Sequence, residues 1–288
     1  MEVLIHPVTA PGLVTQKSDG PHRYVFTRDL DETPYGSRHL VLRSEHHTSH
    51  LLHRLNRVFQ ASEPGAACGA MRERFGRAFD RLQHADHPHI LRVEEFGWDT
   101  GGGGDGGIGP FAISDYTGDA DGVVTLARLI KLKGGWLTLE ESKRALEQLM
   151  GACAAAHAAG IVHGTLSMDQ VHIDRRGSLL IELYGLNQQL NPKVTAAADE
   201  VRSIAAIGYQ LATGLLPVRP IIPVEHVIEH IDQSWRDYFH TGLGEGGTGF
   251  STAAHALAAV QGLRIAGGFG EMGTSLRDLV RSMLTPVR

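Results

Sequence analysis

An α+β chain built from two lobes is the fold class the sequence predicts, on three observations. Residues 22–116 are dominated by short runs of β-branched, leucine and aromatic residues broken by Gly and Pro, and they enclose one amphipathic helix. After Tyr116 the apolar residues recur at helical spacing. Within that helical half a single short hairpin pattern stands alone, at 171–183. Strands gathered in front and helices gathered behind indicate segregated layers rather than a βαβ alternation. The division is an irregular segment over 1–21, a β-rich lobe over 22–116, a helical lobe over 117–262 and a helical tail over 263–288.

Each element has a local cause. Arg23 to Arg28 and Arg38 to Ser44 read as short strands joined by a turn at Pro34 and Gly36. In MRERFGRAFDRLQ, Met71, Phe75, Ala78, Phe79 and Leu82 share one helical face with arginines opposite, which predicts a helix over 71–83. HPHILRVEEFGW, residues 87–98, reads as a strand, GGGGDGGIG as a solvent loop, and PFAISDY as the strand that pairs back. Thr138 and Glu141 in TLEE form a capping box that opens a helix running to Ala159, with the stripe Leu146, Leu149, Met150 and Cys153 and a stop at Gly160. VHIDRRGSLLIEL is a hairpin turning at Asp174 to Gly177. Asp199 opens the next helix, which buries Val201, Ile204, Ala205, Gly208 and Leu211 and ends at Gly214. Further helices are expected over 224–241, 251–261 and 274–284.

The bulk numbers exclude several classes. The 288 residues are 42% hydrophobic and 20% charged, with a net charge of −5, so no basic surface argues for nucleic acid. Neither a basic-then-apolar N-terminus nor an apolar run near the ~18 residues of a membrane span occurs, and the expectation is a cytoplasmic protein without a membrane partner. Two cysteines, Cys68 and Cys153, make no disulfide framework, and Cys153 reads as a small buried hydrophobe. HHTSH at 46–50 lacks the glutamate of a zinc hydrolase helix and reads as surface, so no metal site is expected.

The ordered series of these pieces resembles the protein kinase fold, specifically the bacterial eukaryote-like serine/threonine kinases. HPHILRVEEFG looks like the strand after the helix of the small lobe, and AISDY like the strand that enters the hinge, with Asp115 and Tyr116 at the hinge. AHAAGIVHGTLSMDQVHI looks like the helix and catalytic loop, LIELYGL like the strand with the metal-binding motif, and VRSIAAIGYQLATGLLP like the helix that supports the loop.

What the resemblance implies chemically is absent at position after position. The family's catalytic loop carries His-Arg-Asp and, after four spacers, Asn; one aspartate serves the acceptor hydroxyl while the asparagine and a second aspartate hold Mg²⁺. Here the loop is His163, Gly164, Thr165, Leu166, Ser167, Met168, Asp169, Gln170. Thr165 cannot accept a proton near neutral pH. Ser167 replaces a phosphate-contacting lysine, and Gln170 carries one methylene too many for the metal position. Asp-Phe-Gly becomes Leu183, Tyr184, Gly185, and leucine binds no Mg²⁺; Glu182, one residue earlier, is expected to face the other side of its strand. In LVLR, Arg43 stands for the strand lysine, and a planar fork is not a compact ammonium. The helix glutamate falls near Ala78, with Glu73 the nearest acid upstream. The phosphate-covering loop falls on DLDETPYGSR, rich in acids, while the glycine runs starting at 101 and 242 read as plain loops. The activation segment is short, lacks Ala-Pro-Glu, and its arginine partner is replaced by Gly249.

Groups that serve folding look kept. His163 reads as a packing and hydrogen-bonding residue, and Glu200 or Asp199 stands where the family's supporting aspartate braces the loop amides. The resemblance thus implies a catalytically inactive, pseudokinase-type regulatory or scaffolding module. It would bind a protein partner such as an active kinase or signalling protein, need no cofactor, and bind at most ATP without Mg²⁺ through a cleft including Arg43, Asp115 and Tyr116. The other reading is an active atypical serine/threonine kinase, or another phosphoryl or nucleotidyl transferase, with Glu182, Asp169 or Glu200 in new roles.

Overall fold

A computed structural model describes residues 23–33, 36–45, 49–57, 66–82, 85–99, 109–118, 123–185, 197–244 and 249–265. The chain divides into two compact units, residues 1–72 with 94–116, and 73–93 with 117–288. Residues 73–93, which the sequence groups with the strands, count with the helical unit.

The first unit holds a five-stranded sheet of β1 (Arg23–Thr33), β2 (Gly36–Glu45), β3 (Ser49–Arg57), β4 (Val93–Asp99) and β5 (Gly109–Asp115) in the order β1-β2-β3-β5-β4. The strand pairs β1–β2, β2–β3 and β3–β5 are antiparallel. Val41, Phe111 and Ile113 are buried together as its apolar cluster.

Three expectations change here. The first two strands run longer than 23–28 and 38–44 because the acidic DLDET stretch pairs with β2, with register shifts at Phe26/Arg28 and Asp29/Asp31. β3 was not expected: SHLLHRLNR mixes basic and apolar residues without strict alternation, and backbone pairing to both β2 and β5 makes it a strand. The stretch 87–98 becomes a strand only from Val93, since the residues before it contribute an isolated bridge at Ile90 instead.

Helix α1 (Ala66–Leu82) begins five residues earlier than the apolar stripe indicates, and Phe75, Ala78 and Leu82 on that stripe are buried. In the second unit α2 (Leu126–Leu132) is short and unforeseen, capped by the Thr125 side chain. The long α3 (Leu139–Ala158) starts at the predicted capping box: the Thr138 hydroxyl accepts from the Glu141 N–H at 3.2 Å, and Glu141 accepts from the Thr138 N–H at 3.1 Å. Lys133 donates to the same glutamate at 2.6 Å. Leu146, Leu149, Met150 and Cys153 are fully buried, as the stripe requires; each of the first three contributes about 1.5–3 kcal/mol of transfer free energy.

A single 3-10 turn (Met168–Gln170) leads into β6 (Val171–Ile173), which pairs with β7 (Leu179–Ile181) across the Asp174 turn, whose side chain accepts the Arg176 and Ser178 N–H groups. Ile181 also exchanges backbone bonds with His89 and Leu91, at 2.9 Å each. Among the described residues three more helices follow: α4 (Ala197–Thr213), α5 (Gln233–Gly242) and α6 (Ala253–Gln261). The single helix expected over 224–241 is broken. Val224–His226 form a 3-10 turn, His230 takes a positive φ of 57°, and Asp232 caps a fresh start by accepting from the Ser234 N–H. The expected helix at 274–284, the glycine run at 101–106, most of HHTSH and the activation segment at 186–196 lie outside the described residues.

Candidate functional site

The site is assembled from the C-terminal end of α3, the loop 160–167, the 3-10 turn, the turn 182–185 after β7, and the first turn of α4. Glu200 organises it. Its buried carboxylate accepts the backbone N–H of His163 at 2.7 Å and of Gly164 at 3.3 Å, contacts His157 Nε2 at 3.1 Å, and accepts the Tyr184 hydroxyl. Of the two acids the sequence put forward, Glu200 is therefore the brace; Asp199 pairs with Arg202 at 3.6 Å instead. Burial alone would raise the Glu200 carboxyl, but the His157 hydrogen bond, the nearby His163 and the Tyr184 hydroxyl outweigh it and hold it below the ordinary carboxylate range. Ser203, one turn along α4, accepts the Leu166 N–H at 2.9 Å, so the loop backbone is tied down twice.

His163 is buried and packs at a tilt against Tyr184, with ring centroids 5.1 Å apart and planes inclined by 48°. Its Nδ1 accepts the Gly185 N–H at 3.3 Å, which puts the ring proton on Nε2, an atom without a hydrogen-bond partner among the described residues. Burial pushes the imidazole pKa down. A neutral ring enclosed this way holds the loop against the turn.

Of the loop residues that the sequence resemblance put forward, Thr165 and Ser167 are exposed. Gln170 is buried, and its side-chain oxygen accepts from both the Ser167 N–H at 3.0 Å and the Ser167 hydroxyl at 3.2 Å, closing the 3-10 turn as a capping box.

Glu182 keeps to the alternation of β7: its N–H donates to the Gln170 carbonyl at 2.9 Å, one step beyond the Val171–Ile181 pair. It is buried with His172, Oε2 to Nε2 at 2.8 Å, both side chains at most 4% exposed. Leu183 follows with a positive φ of 49°. That left-handed region suits Gly, Asn or Asp far better than leucine. Gly185, at φ 75°, completes the turn; a Cβ there would stand 2.5 Å from Ile161 Cγ2.

In the first unit, Arg43 pairs through its backbone with Tyr24 and Leu51, Asp115 ends β5 opposite His53 and is exposed, and Tyr116 follows. Glu73 on α1 pairs with Arg77 at 2.8 Å on its own helix.

Two features had no sequence signal beyond spacing. Cys153 and His157, four apart on α3, meet Glu200: Sγ lies 3.5 Å from His157 Nε2, and the three ligand-type atoms fall within 4.8 Å of one another. Beside the loop, Thr165, Ser167, Asp169, Arg202, Ile207 and Leu216 help line a largely apolar groove of about 620 Å³.

Solved structures supply the comparison. The kinase domain of Mycobacterium tuberculosis PknI is similar with a TM-score of 0.63 at 19% identity, over 83% of this chain and 95% of that one. A double mutant of the same domain gives 0.64 at 18% identity over the same shares. This chain has a protein kinase-like fold. No family model matches the sequence, and no curated protein matches it. No helix among the described residues is long and apolar enough to cross a membrane.

Proposed function

We propose that this kinase-like chain is a pseudokinase, without phosphotransfer activity, that works as a regulatory or scaffolding module for a protein partner such as an active kinase or signalling protein. The observation that carries the reading is the commitment of the two candidate metal groups: the Gln170 oxygen is held by Ser167 and the Glu182 carboxylate by His172, both buried. Mg²⁺ requires oxygen ligands at close to octahedral geometry, and Leu183 offers none. Nothing at Thr165 can act as the carboxylate that receives the acceptor proton. Leu215, Leu216, Val218 and Ile222, all exposed within one short stretch after α4, support contact with a protein.

The test is thermal melting of the chain with ATP, alone and with Mg²⁺ or Mn²⁺, beside a radiolabelled phosphate-transfer assay. The reading expects no metal-dependent rise in melting temperature and no incorporation, with at most a metal-independent nucleotide shift. A metal-dependent shift together with incorporation lost in Glu182→Ala overturns it in favour of an atypical kinase.

A further inference from the structure

Cys153, His157 and Glu200 meet beneath the loop whose amides Glu200 braces. Two of the three project from one face of α3 at i, i+4, and the third comes from the first turn of α4, so the group links the two helices. The Sγ to Nε2 distance is 3.5 Å and Nε2 to the Glu200 oxygen 3.1 Å. Zn–S near 2.3 Å and Zn–N or Zn–O near 2.0–2.1 Å at a tetrahedral angle separate neighbouring ligand atoms by about 3.3–3.6 Å, so both observed edges fit one ion with shifts of a few tenths of an ångström.

We propose that Cys153, His157 and Glu200 form a binding site for a borderline-soft divalent cation, Zn²⁺ above all, that ties α3 to α4. The chemistry of the donors favours this class. Thiolate and imidazole select zinc over Mg²⁺ or Ca²⁺, which take oxygen. Two anionic ligands neutralise the ion, so the loaded site carries no net buried charge. On binding, the Cys153 thiol gives its proton to solvent and His157 binds through an unprotonated Nε2 with its proton on Nδ1. The Tyr184 hydroxyl, bonded to Glu200, and the Glu200-bound amides of His163 and Gly164 fix the carboxylate from outside. Cys153 and Glu200 are buried, while the His157 side chain is 15% exposed and gives the ion its way in. The site is distinct from Thr165, Gln170 and Leu183, and it stands whether or not the chain transfers phosphate.

The experiment is cobalt substitution in the full chain, stripped with chelator and titrated with Co²⁺ and then Zn²⁺. Expected are one Co²⁺ per chain, visible bands of a tetrahedral site, a near-ultraviolet thiolate-to-cobalt band displaced by Zn²⁺, and a zinc-dependent rise in melting temperature. Cys153→Ala should abolish the thiolate band and Cys68→Ser should keep it. His157→Gln, which retains the buried cysteine, should weaken binding at least about tenfold. No cobalt bound, cobalt bound without a thiolate band, or a band that persists in Cys153→Ala overturns the proposal.

Discussion

The Tyr184 hydroxyl donates to the carboxylate of Glu200, joining the turn after β7 to the helix that carries the loop's brace. Burial, followed by the negative charge of Glu200, pushes the Tyr184 pKa up, so the phenol remains a donor across the accessible pH range. Tyr184→Phe is expected to cost about 1.5–3 kcal/mol, the range for a hydrogen bond to a charged group. Glu200→Ala strands two amides and the hydroxyl and should cost about 3–5 kcal/mol. The double variant should lose less than the two together by at least about 0.5 kcal/mol. Urea denaturation midpoints at constant slope measure all three.

Acid should weaken this region in two stages. His163 in the folded chain sits below its ordinary value of 6.5 because burial disfavours the charged ring. As pH falls through 6.5 the unfolded chain takes up a proton that the folded chain refuses, and stability falls with it. Glu200 acts lower: its stabilisation is complete above the ordinary 4.5 and disappears as pH drops through the depressed folded value. Replacing His163 by Phe should flatten the stability curve between about pH 7 and 5.5 relative to the parent, read from melts in matched buffers.

The buried pair of His172 and Glu182 should behave as an internal unit. Glu182→Ala leaves a buried imidazole without its acid and is expected to cost about 3–5 kcal/mol, whereas His172→Leu combined with Glu182→Leu should recover most of that. Thermal melts decide it; equal losses for the single and the double variant would show that the pair carries no coupling.

Gly185→Ala should lower stability by at least about 2 kcal/mol, since a left-handed φ and a Cβ placed against Ile161 Cγ2 act together. Ile161→Ala in the same background relieves the contact and leaves only the backbone cost, so the double variant separates the two effects.

The helical lobe was legible where a local signal and a periodic stripe agreed. Thr138, Glu141 and the Leu146 to Cys153 stripe define α3 without tertiary help, and the Asp174 turn defines the hairpin. α2 has seven residues, too few for a period to register, and β3 owes its state to two neighbouring strands. The partners of Glu182 and Gln170 were not legible, because His172 meets Glu182 only across the folded hairpin and Ser167 meets Gln170 only once the 3-10 turn has formed. Cys153 read as a small hydrophobe, and it is buried as such; its contact with His157 is local, yet Glu200 arrives from 43 residues beyond His157.

The Gln170 oxygen fastens the 3-10 turn by accepting from both the N–H and the hydroxyl of Ser167, so one side chain works as a latch on the loop. Any group that drew this oxygen away would first have to open the latch, and the Glu182 carboxylate is tied down in the same manner by His172.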